Sequence, residues 1–125
     1  HYNLGNVLKK KREIDAATAA YRRAIELEPN FVLAHLNLGA IYHEQKKYIE
    51  SITCARAAVK ADPKLSNAHA LLGLSLQKIG DLAGARAALT EAARLDKRWA
   101  AEVAKLPPPP VAPMPREARL RIFRP

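Results

Sequence analysis

The chain has 125 residues, the length of one ordinary domain, and 49% of them are hydrophobic while 26% are charged. This composition excludes a disordered chain, and no apolar stretch is long enough to cross a bilayer. A single cysteine excludes a disulfide-stapled scaffold and predicts a reducing, cytoplasmic setting. Because the chain begins with His1, we expect a fragment of a longer protein whose targeting information is missing. Its net charge of +9 is strongly basic.

A repeat of 34 residues runs through residues 1–97. Agreement at many positions over three copies is the signature of a repeat architecture, in which each unit buries its apolar face against the next. The residues related by this interval include Gly5, Gly39 and Gly73; His1, His35 and His69; Leu4, Leu38 and Leu72; Ala24, Ala58 and Ala92; and the pair Pro29 and Pro63.

Each repeat predicts two helices. In the second copy, Leu38, Ile41 and Tyr42 have the i, i+3, i+4 spacing of a helix that runs over residues 33–45. A polar turn follows, and a second helix is predicted from Tyr48 to Ala61. It ends before a proline because proline lacks the N–H group and its ring clashes with the preceding turn.

The repeated glycine predicts a close approach of these two helices. Gly39 is expected to face the small residue Ser51, and Ala17 and Ala85 hold the same place in the other copies. Larger side chains would separate the helices and leave voids in the core.

These positions resemble the tetratricopeptide repeat (TPR) pattern, which in the second copy reads His35, Leu38, Gly39, Tyr42, Ser51, Ala55, Ala58 and Pro63. The resemblance implies an all-α, right-handed α-solenoid over residues 1–106, with repeats at 1–31, 32–65 and 66–97. Histidine replaces the usual tryptophan, and Lys97 stands where the third proline is expected. The repeats look like those attached to O-linked N-acetylglucosamine transferases and to bacterial signalling proteins.

The C-terminal part of the chain predicts a cap and a tail. Trp99, Val103 and Leu106 form a helical stripe, so a short capping helix is expected over residues 98–106. Residues 107–125 hold seven of the nine prolines and predict an extended, basic tail or linker that contacts the solenoid in part. No cap is visible at the N-terminal end, so we expect self-association through the first repeat.

Catalytic and metal sites are not predicted, nor is a cofactor. His35 and His43 lie roughly 12 Å apart along one helix, too far to share a metal ion, and the recurring histidines are expected to pack between helices. The lone thiol of Cys54 has no histidine spaced to activate it. Phosphate-binding loops and nucleophile elbows are missing from the sequence. We therefore expect a non-enzyme, with a regulatory or substrate-recruiting segment of a larger enzyme as the alternative.

The resemblance implies a protein–protein interaction module that binds a peptide in the concave groove lined by the first helix of each hairpin. Apolar anchors are expected around Tyr2, Leu36 and Leu74, while Asn6 and Asn37 hold the peptide backbone, because an amide both donates and accepts hydrogen bonds. The expected groove residues are Tyr2, Asn3, Asn6, Lys9, Leu33, Leu36, Asn37, Ala40, Asn67, Ala70, Leu71, Leu74 and Gln77.

The resemblance also bears on one class of partner. Chaperone-binding members of the family hold a C-terminal carboxylate with two asparagines and three basic side chains. Asn6 and Asn37 match the asparagines, but the basic positions hold Tyr2, Asn67 and Leu71. Since these three side chains cannot neutralise a carboxylate, chaperone C-terminal peptides are not expected to bind.

The basic residues predict one charged edge and a charged tail. Residues 9–12, Lys46, Lys47 and Lys78 fall at successive turns, which fits either solvated turns or an acidic partner. Nucleic acid is the weaker hypothesis, because no exposed aromatic residues are expected beside them. Residues 98–125 carry six basic and two acidic side chains, so we expect an acidic partner to bind there in preference to the solenoid.

Overall fold

A computed structural model describes residues 2–10 and 13–108, and it leaves out the side chains of residues 7–10. This part of the chain contains α-helices, one 3-10 turn and no strand, so the predicted all-α class is confirmed. In chain order the helices are α1 (Tyr2–Lys10), α2 (Ile14–Leu27), α3 (Val32–Glu44), α4 (Tyr48–Ala61), α5 (Ser66–Lys78), α6 (Leu82–Leu95) and α7 (Ala100–Ala104), with the 3-10 turn at Lys97–Trp99.

The helices form three hairpins that stack in chain order. Helix α1 packs on α2, α3 on α4 and α5 on α6, while α2 contacts α3 and α4 contacts α5 across the boundaries between hairpins. This is the α-solenoid that the repeat predicts. Within the described ranges, no helix has the length and apolar character needed to cross a membrane.

Glycine permits the close contact within and between hairpins. A Cβ atom on Gly39 would lie 2.8 Å from Leu71 Cδ2 and 3.0 Å from Cys54 Cβ, whereas the Ser51 carbonyl oxygen is 3.5 Å away. The expected neighbour Ser51 is therefore close, but Leu71 and Cys54 are closer. A Cβ atom on Gly73 of α5 would lie 2.6 Å from Leu89 Cγ on the facing helix α6.

Two of the recurring histidines form hydrogen bonds with the backbone, which the expected packing between helices did not include. His35 Nε2 lies 2.7 Å from the carbonyl oxygen of Pro29, and His69 Nε2 lies 2.8 Å from that of Pro63. Because a carbonyl oxygen only accepts, each imidazole nitrogen is the donor. Each of these histidines thus ties the first helix of its repeat to the turn that precedes it.

The C-terminal cap is shorter than expected. A continuous helix over 98–106 is divided into the 3-10 turn and α7, although the predicted apolar stripe packs as expected. Leu106 is buried in the core of the last hairpin, and Trp99 and Val103 pack against the same cluster. The stripe therefore covers the apolar end of the array.

The first residue of the predicted tail contacts the solenoid. The guanidinium group of Arg86 on α6 donates a hydrogen bond to the carbonyl oxygen of Pro107, as the expectation of a tail contact requires. The rest of the predicted tail, residues 109–125, lies outside the described residues.

The first repeat leaves an apolar residue uncovered. Leu4 is 53% exposed, whereas Leu38, one period later, is only 4% exposed and belongs to the core. This exposure is what the expected self-association through the first repeat would use, and that association stays a prediction.

A buried polar network fixes the second boundary between hairpins. Ser51 on α4 and Ser75 on α5 are fully buried, and their Oγ atoms are 2.8 Å apart. His43 Nδ1 on α3 lies 3.0 Å from Ser75 Oγ, so the network joins three helices. Burial lowers the pKa of His43, the nearby positive charge of Lys78 lowers it further, and Glu44 opposes both effects.

The network predicts a pH-dependent stability. Because the pKa of His43 is lower in the folded chain than its value of about 6.5 in an unfolded chain, the unfolded state takes up the proton first as the pH falls. Stability is therefore full above pH about 6.5 and declines as the pH falls through the folded pKa. Urea unfolding at pH 7.5 and at pH 5.5 measures this loss.

The matched variant is His43→Gln, which can still bond Ser75 but does not titrate. We expect it to lose less stability than the wild type between the two pH values, since His35 and His69 are common to both. Equal losses in the two proteins would show that His43 is not the group responsible.

Candidate functional site

The two groove asparagines lie side by side. Asn37 Nδ2 on α3 donates to Asn6 Oδ1 on α1 at 3.1 Å and to the Tyr2 hydroxyl at 3.3 Å. The hydroxyl of Tyr21, which reaches this place from α2, also donates to Asn6 Oδ1. The structure thus brings together Tyr2, Asn6 and Asn37, as the sequence analysis expected, and adds Tyr21.

Tyr21 holds the Asn6 side chain in place from within the core. Its side chain is fully buried, and burial raises the pKa of its phenol, with a smaller contribution from the neighbouring Tyr2. The hydroxyl group therefore keeps its proton at neutral pH and can donate it to Asn6. In sequence, Tyr21 was recognisable only as the aromatic packing position of the repeat.

These hydrogen bonds set the orientation of both amides. Asn6 Oδ1 accepts from two donors, and Asn37 Nδ2 uses both of its hydrogens. Among the residues that the structure describes, Asn6 Nδ2 and Asn37 Oδ1 have no hydrogen-bonding partner. One hydrogen-bond donor, Asn6 Nδ2, and one acceptor, Asn37 Oδ1, are therefore available on neighbouring half-buried side chains. A peptide group carries the complementary acceptor and donor.

An aromatic cleft lies beside the asparagines. The ring of Tyr2 is 4.7 Å from that of Phe31 and 6.0 Å from that of Tyr21, measured between centroids. Together with Asn3 and Leu27, Tyr2 and Phe31 line a cleft of about 440 Å³. Sequence reasoning missed Leu27 and Phe31, although both precede the first groove residue of α3 and their apolar character was visible.

The remaining groove residues differ in exposure. Asn3, Leu33 and Asn67 are exposed, while Leu36, Ala40, Leu71, Leu74 and Gln77 are half-buried. Ala70 is a correction, because it is only 1% exposed and packs in the core rather than lining an open surface. The side chain of Lys9 lies outside the described part of the chain.

A second cleft of about 320 Å³ lies at the N-terminal end of α5. It is lined by Asn67 together with Arg98, Trp99 and Glu102 of the cap. Arg98 is paired with Asp96 at 2.6 Å, so its charge is partly neutralised. Trp99 therefore has two roles, since it covers the core and also faces this cleft.

Comparison with protein families identifies the repeats. The family description "TPR repeat" matches residues 5–46, and the description "Tetratricopeptide repeat" matches residues 32–65 and again residues 66–98. The chain belongs to the tetratricopeptide repeat family. No curated protein matches it in sequence, and the finer likeness to the repeats of O-linked N-acetylglucosamine transferases stays a prediction.

Solved TPR structures share the fold. The first TPR of Spaghetti (RPAP3), bound to the HSP90 peptide SRMEEVD, has a TM-score of 0.80 and 18% identity, with 84% of this chain and 86% of that chain covered. The N-terminal domain of stress-induced protein-1 (STI-1) from C. elegans has a TM-score of 0.75 and 29% identity, with 84% and 90% covered. MamA from Desulfovibrio magneticus RS-1, residues 41 to the end, has a TM-score of 0.77 and 24% identity; 84% of this chain and 61% of that chain are covered.

The TPR array places its cysteine in the core. Cys54 is buried, and burial raises the pKa of its thiol to about 11, so the thiol is protonated at neutral pH. A protonated thiol is a poor nucleophile. Within the described ranges, no three histidine, cysteine or acidic side chains are close enough to hold a metal ion.

The contact between Tyr21 and Asn6 predicts a measurable contribution to stability. Tyr21→Phe removes a buried hydroxyl donor, and we expect the free energy of unfolding to fall by about 1 kcal/mol in urea titrations. Tyr48→Phe is the matched control, because no hydrogen bond of its hydroxyl is found among the described residues, and its effect should stay within about 0.5 kcal/mol. Equal effects of the two variants would contradict the role given to Tyr21.

Proposed function

We propose that this TPR array is a protein–protein interaction module whose groove binds an extended peptide segment of a partner protein. The observation that carries the proposal is the donor and acceptor pair formed by Asn6 Nδ2 and Asn37 Oδ1. Two tyrosine hydroxyls and the amide–amide hydrogen bond hold this pair in one orientation. Such prior ordering lowers the entropy cost of binding.

The pair suits a peptide backbone rather than a particular side chain. Every peptide group other than one at proline offers one carbonyl oxygen, which Asn6 Nδ2 can reach as a donor, and one N–H, which Asn37 Oδ1 can accept. The aromatic cleft of Tyr2 and Phe31 adds a place for an apolar side chain of the same segment. Backbone bonds would give general affinity, and the cleft would supply selectivity.

A similar fold is known to hold a peptide. The first TPR of Spaghetti (RPAP3) is described in complex with the HSP90 peptide SRMEEVD, and its fold covers 84% of this chain. This likeness supports a peptide ligand.

The groove is tested with peptides selected from a displayed library against the wild-type chain. The double variant Asn6→Ala, Asn37→Ala removes both amides, and we expect it to bind the selected peptides at least roughly tenfold more weakly, because each lost hydrogen bond costs about 1 kcal/mol. Fluorescence anisotropy of labelled peptides measures the dissociation constants.

Thr53→Ala is the control for this experiment, since Thr53 is exposed on α4 and, among the described residues, its hydroxyl bonds only the carbonyl oxygen of Ile49 in the same helix. Its affinity should equal that of the wild type. If the double variant also bound as well as the wild type, the asparagine pair would not be the binding site.

We infer that chaperone C-terminal peptides are poor ligands, although the structure of the RPAP3 repeat with an HSP90 peptide is the finding that most directly questions this expectation. The inference depends on Tyr2, Asn67 and Leu71, which occupy the positions of the basic side chains. Leu71 also packs beside Gly39, so it belongs partly to the core.

The peptide SRMEEVD, with a free and with an amidated C-terminus, tests this inference on the same wild-type chain. We expect weak binding that does not depend on the terminal carboxylate. The variant Tyr2→Lys, Asn67→Lys supplies two cations and should gain a preference for the free carboxylate. Tight, carboxylate-dependent binding by the wild type would overturn the inference.

A further inference from the structure

A third cleft lies between α2 and the turn that joins α3 to α4. Its volume is about 240 Å³, and it shares no residue with the peptide groove. The polar residues that line it are Asp15, Thr18, Arg22, Tyr42, Gln45 and Lys47. All of these side chains except the carboxylate of Asp15 carry hydrogen-bond donors.

The centre of this cleft is a tyrosine hydroxyl with a hydrogen to donate. Arg22 donates to the Tyr42 hydroxyl oxygen through Nε, at 3.1 Å, and through Nη2. Tyr42 is only 6% exposed, and no acceptor for its O–H is found among the described residues. Since both lone pairs of the oxygen are used by Arg22, its hydrogen is directed elsewhere.

The positive charges of Arg22 and Lys47 both lie near the face of the Tyr42 ring. The guanidinium carbon of Arg22 lies 5.8 Å from the ring centroid of Tyr42, and Lys47 Nζ lies 6.0 Å from it. In the described part of the chain, neither cation is within 4.0 Å of a carboxylate oxygen. Their charges are therefore compensated only partly, by the ring and by Asp15 across the cleft.

The next repeat boundary lacks this chemistry. One period later, the positions of Arg22, Tyr42 and Lys47 hold Arg56, Leu76 and Asp81. The hydroxyl is lost, and Asp81 instead accepts a hydrogen bond from the backbone N–H of Gly84 and caps α6. The complete donor set therefore occurs at the first boundary and not at the second, although Tyr42 itself occupies a position of the repeat pattern.

We propose that this cleft is an anion site that binds an oxyanion, either a carboxylate or a phosphate group. Arg22, Lys47 and Tyr42 line this space, and the guanidinium N–H groups that Tyr42 leaves free, the ammonium group and the phenol O–H are the donors available to an anion there. Asp15 shares the cleft and repels an anion, so affinity depends on the balance between the two cations and this one carboxylate.

The proposal is tested on the whole chain by two-dimensional ¹H–¹⁵N NMR at constant ionic strength. Inorganic phosphate and an acetylated, amidated tetraglutamate peptide are the two probes. We expect saturable shifts of the Arg22 side-chain N–H and of the Gln45 side-chain amide. Saturation with one probe assigns that oxyanion to the site, and saturation with both assigns the shared chemistry.

The variants have opposite expected effects. Arg22→Gln and Lys47→Gln should each weaken binding about tenfold, since each loses one charged donor. Asp15→Asn should strengthen binding. Arg56→Gln is the matched control, because it removes the same charge one repeat later, and it should leave the affinity unchanged.

Thermal unfolding followed by circular dichroism accompanies each variant, because Arg22→Gln also removes the contact with Tyr42. If that variant does not fold, Lys47→Gln decides the matter, since Lys47 is exposed and leaves the Arg22–Tyr42 contact intact. Equal affinities of Lys47→Gln and Arg56→Gln, or no saturation with either probe, would overturn the proposal. Neither result depends on the peptide groove.

Discussion

The solenoid depends on the short distance between facing helices, which exists because glycine has no side chain. A Cβ atom on Gly73 would lie 2.6 Å from Leu89 Cγ, so the helices of that hairpin could not keep their present separation with a larger residue. At Gly39 the nearest obstacle is Leu71, which belongs to the following repeat. The same small residue thus sets the spacing of the hairpin and the distance to the next one. A substitution there would disturb two interfaces, because close-packed cores do not absorb extra atoms without shifts elsewhere.

The two boundaries between hairpins are locked by different polar contacts, although the apolar pattern on both sides is the same. At the first boundary Asn37 bonds Asn6, and at the second Ser51, Ser75 and His43 form a network. A buried polar group that loses its partner is costly, so each network accepts one arrangement of its helices. The repeats are therefore not interchangeable. Since both networks join the first helices of neighbouring hairpins, they also determine the geometry of the groove.

The sequence predicts features that depend on local pattern, such as helix bounds. It does not predict side-chain contacts that depend on residues far apart in the chain. Helix α4 was expected over residues 48–61 and has these bounds, because helical spacing and the following proline are both local signals. The hydroxyl of Tyr21 beside Asn6 was not foreseen, since helical periodicity places a residue on a face but does not show which polar atom it meets across a hairpin. The resemblance to the repeat family implies that Ala70 lines the groove, yet the packing of its neighbours buries it. The capping helix was expected to be continuous, but it begins with a 3-10 turn.

Departures from the repeat concentrate at the turn between α3 and α4. Lys46 has a φ of 63°, the left-handed conformation that Gly80 adopts one period later with a φ of 87°. A residue with a side chain adopts this conformation at a cost of about 1 kcal/mol relative to glycine. Lys47 also stands where Asp81 caps α6, so α4 begins without a side-chain cap. Helices α2, α3 and α5 likewise begin without a side-chain cap, so the left-handed Lys46 is the feature that distinguishes this turn from that of the third repeat. Lys47, the next residue, lines the cleft of Arg22 and Tyr42. Because strained positions persist where another role maintains them, the anion site proposed beside this turn would account for a conformation that glycine adopts at no such cost in the third repeat.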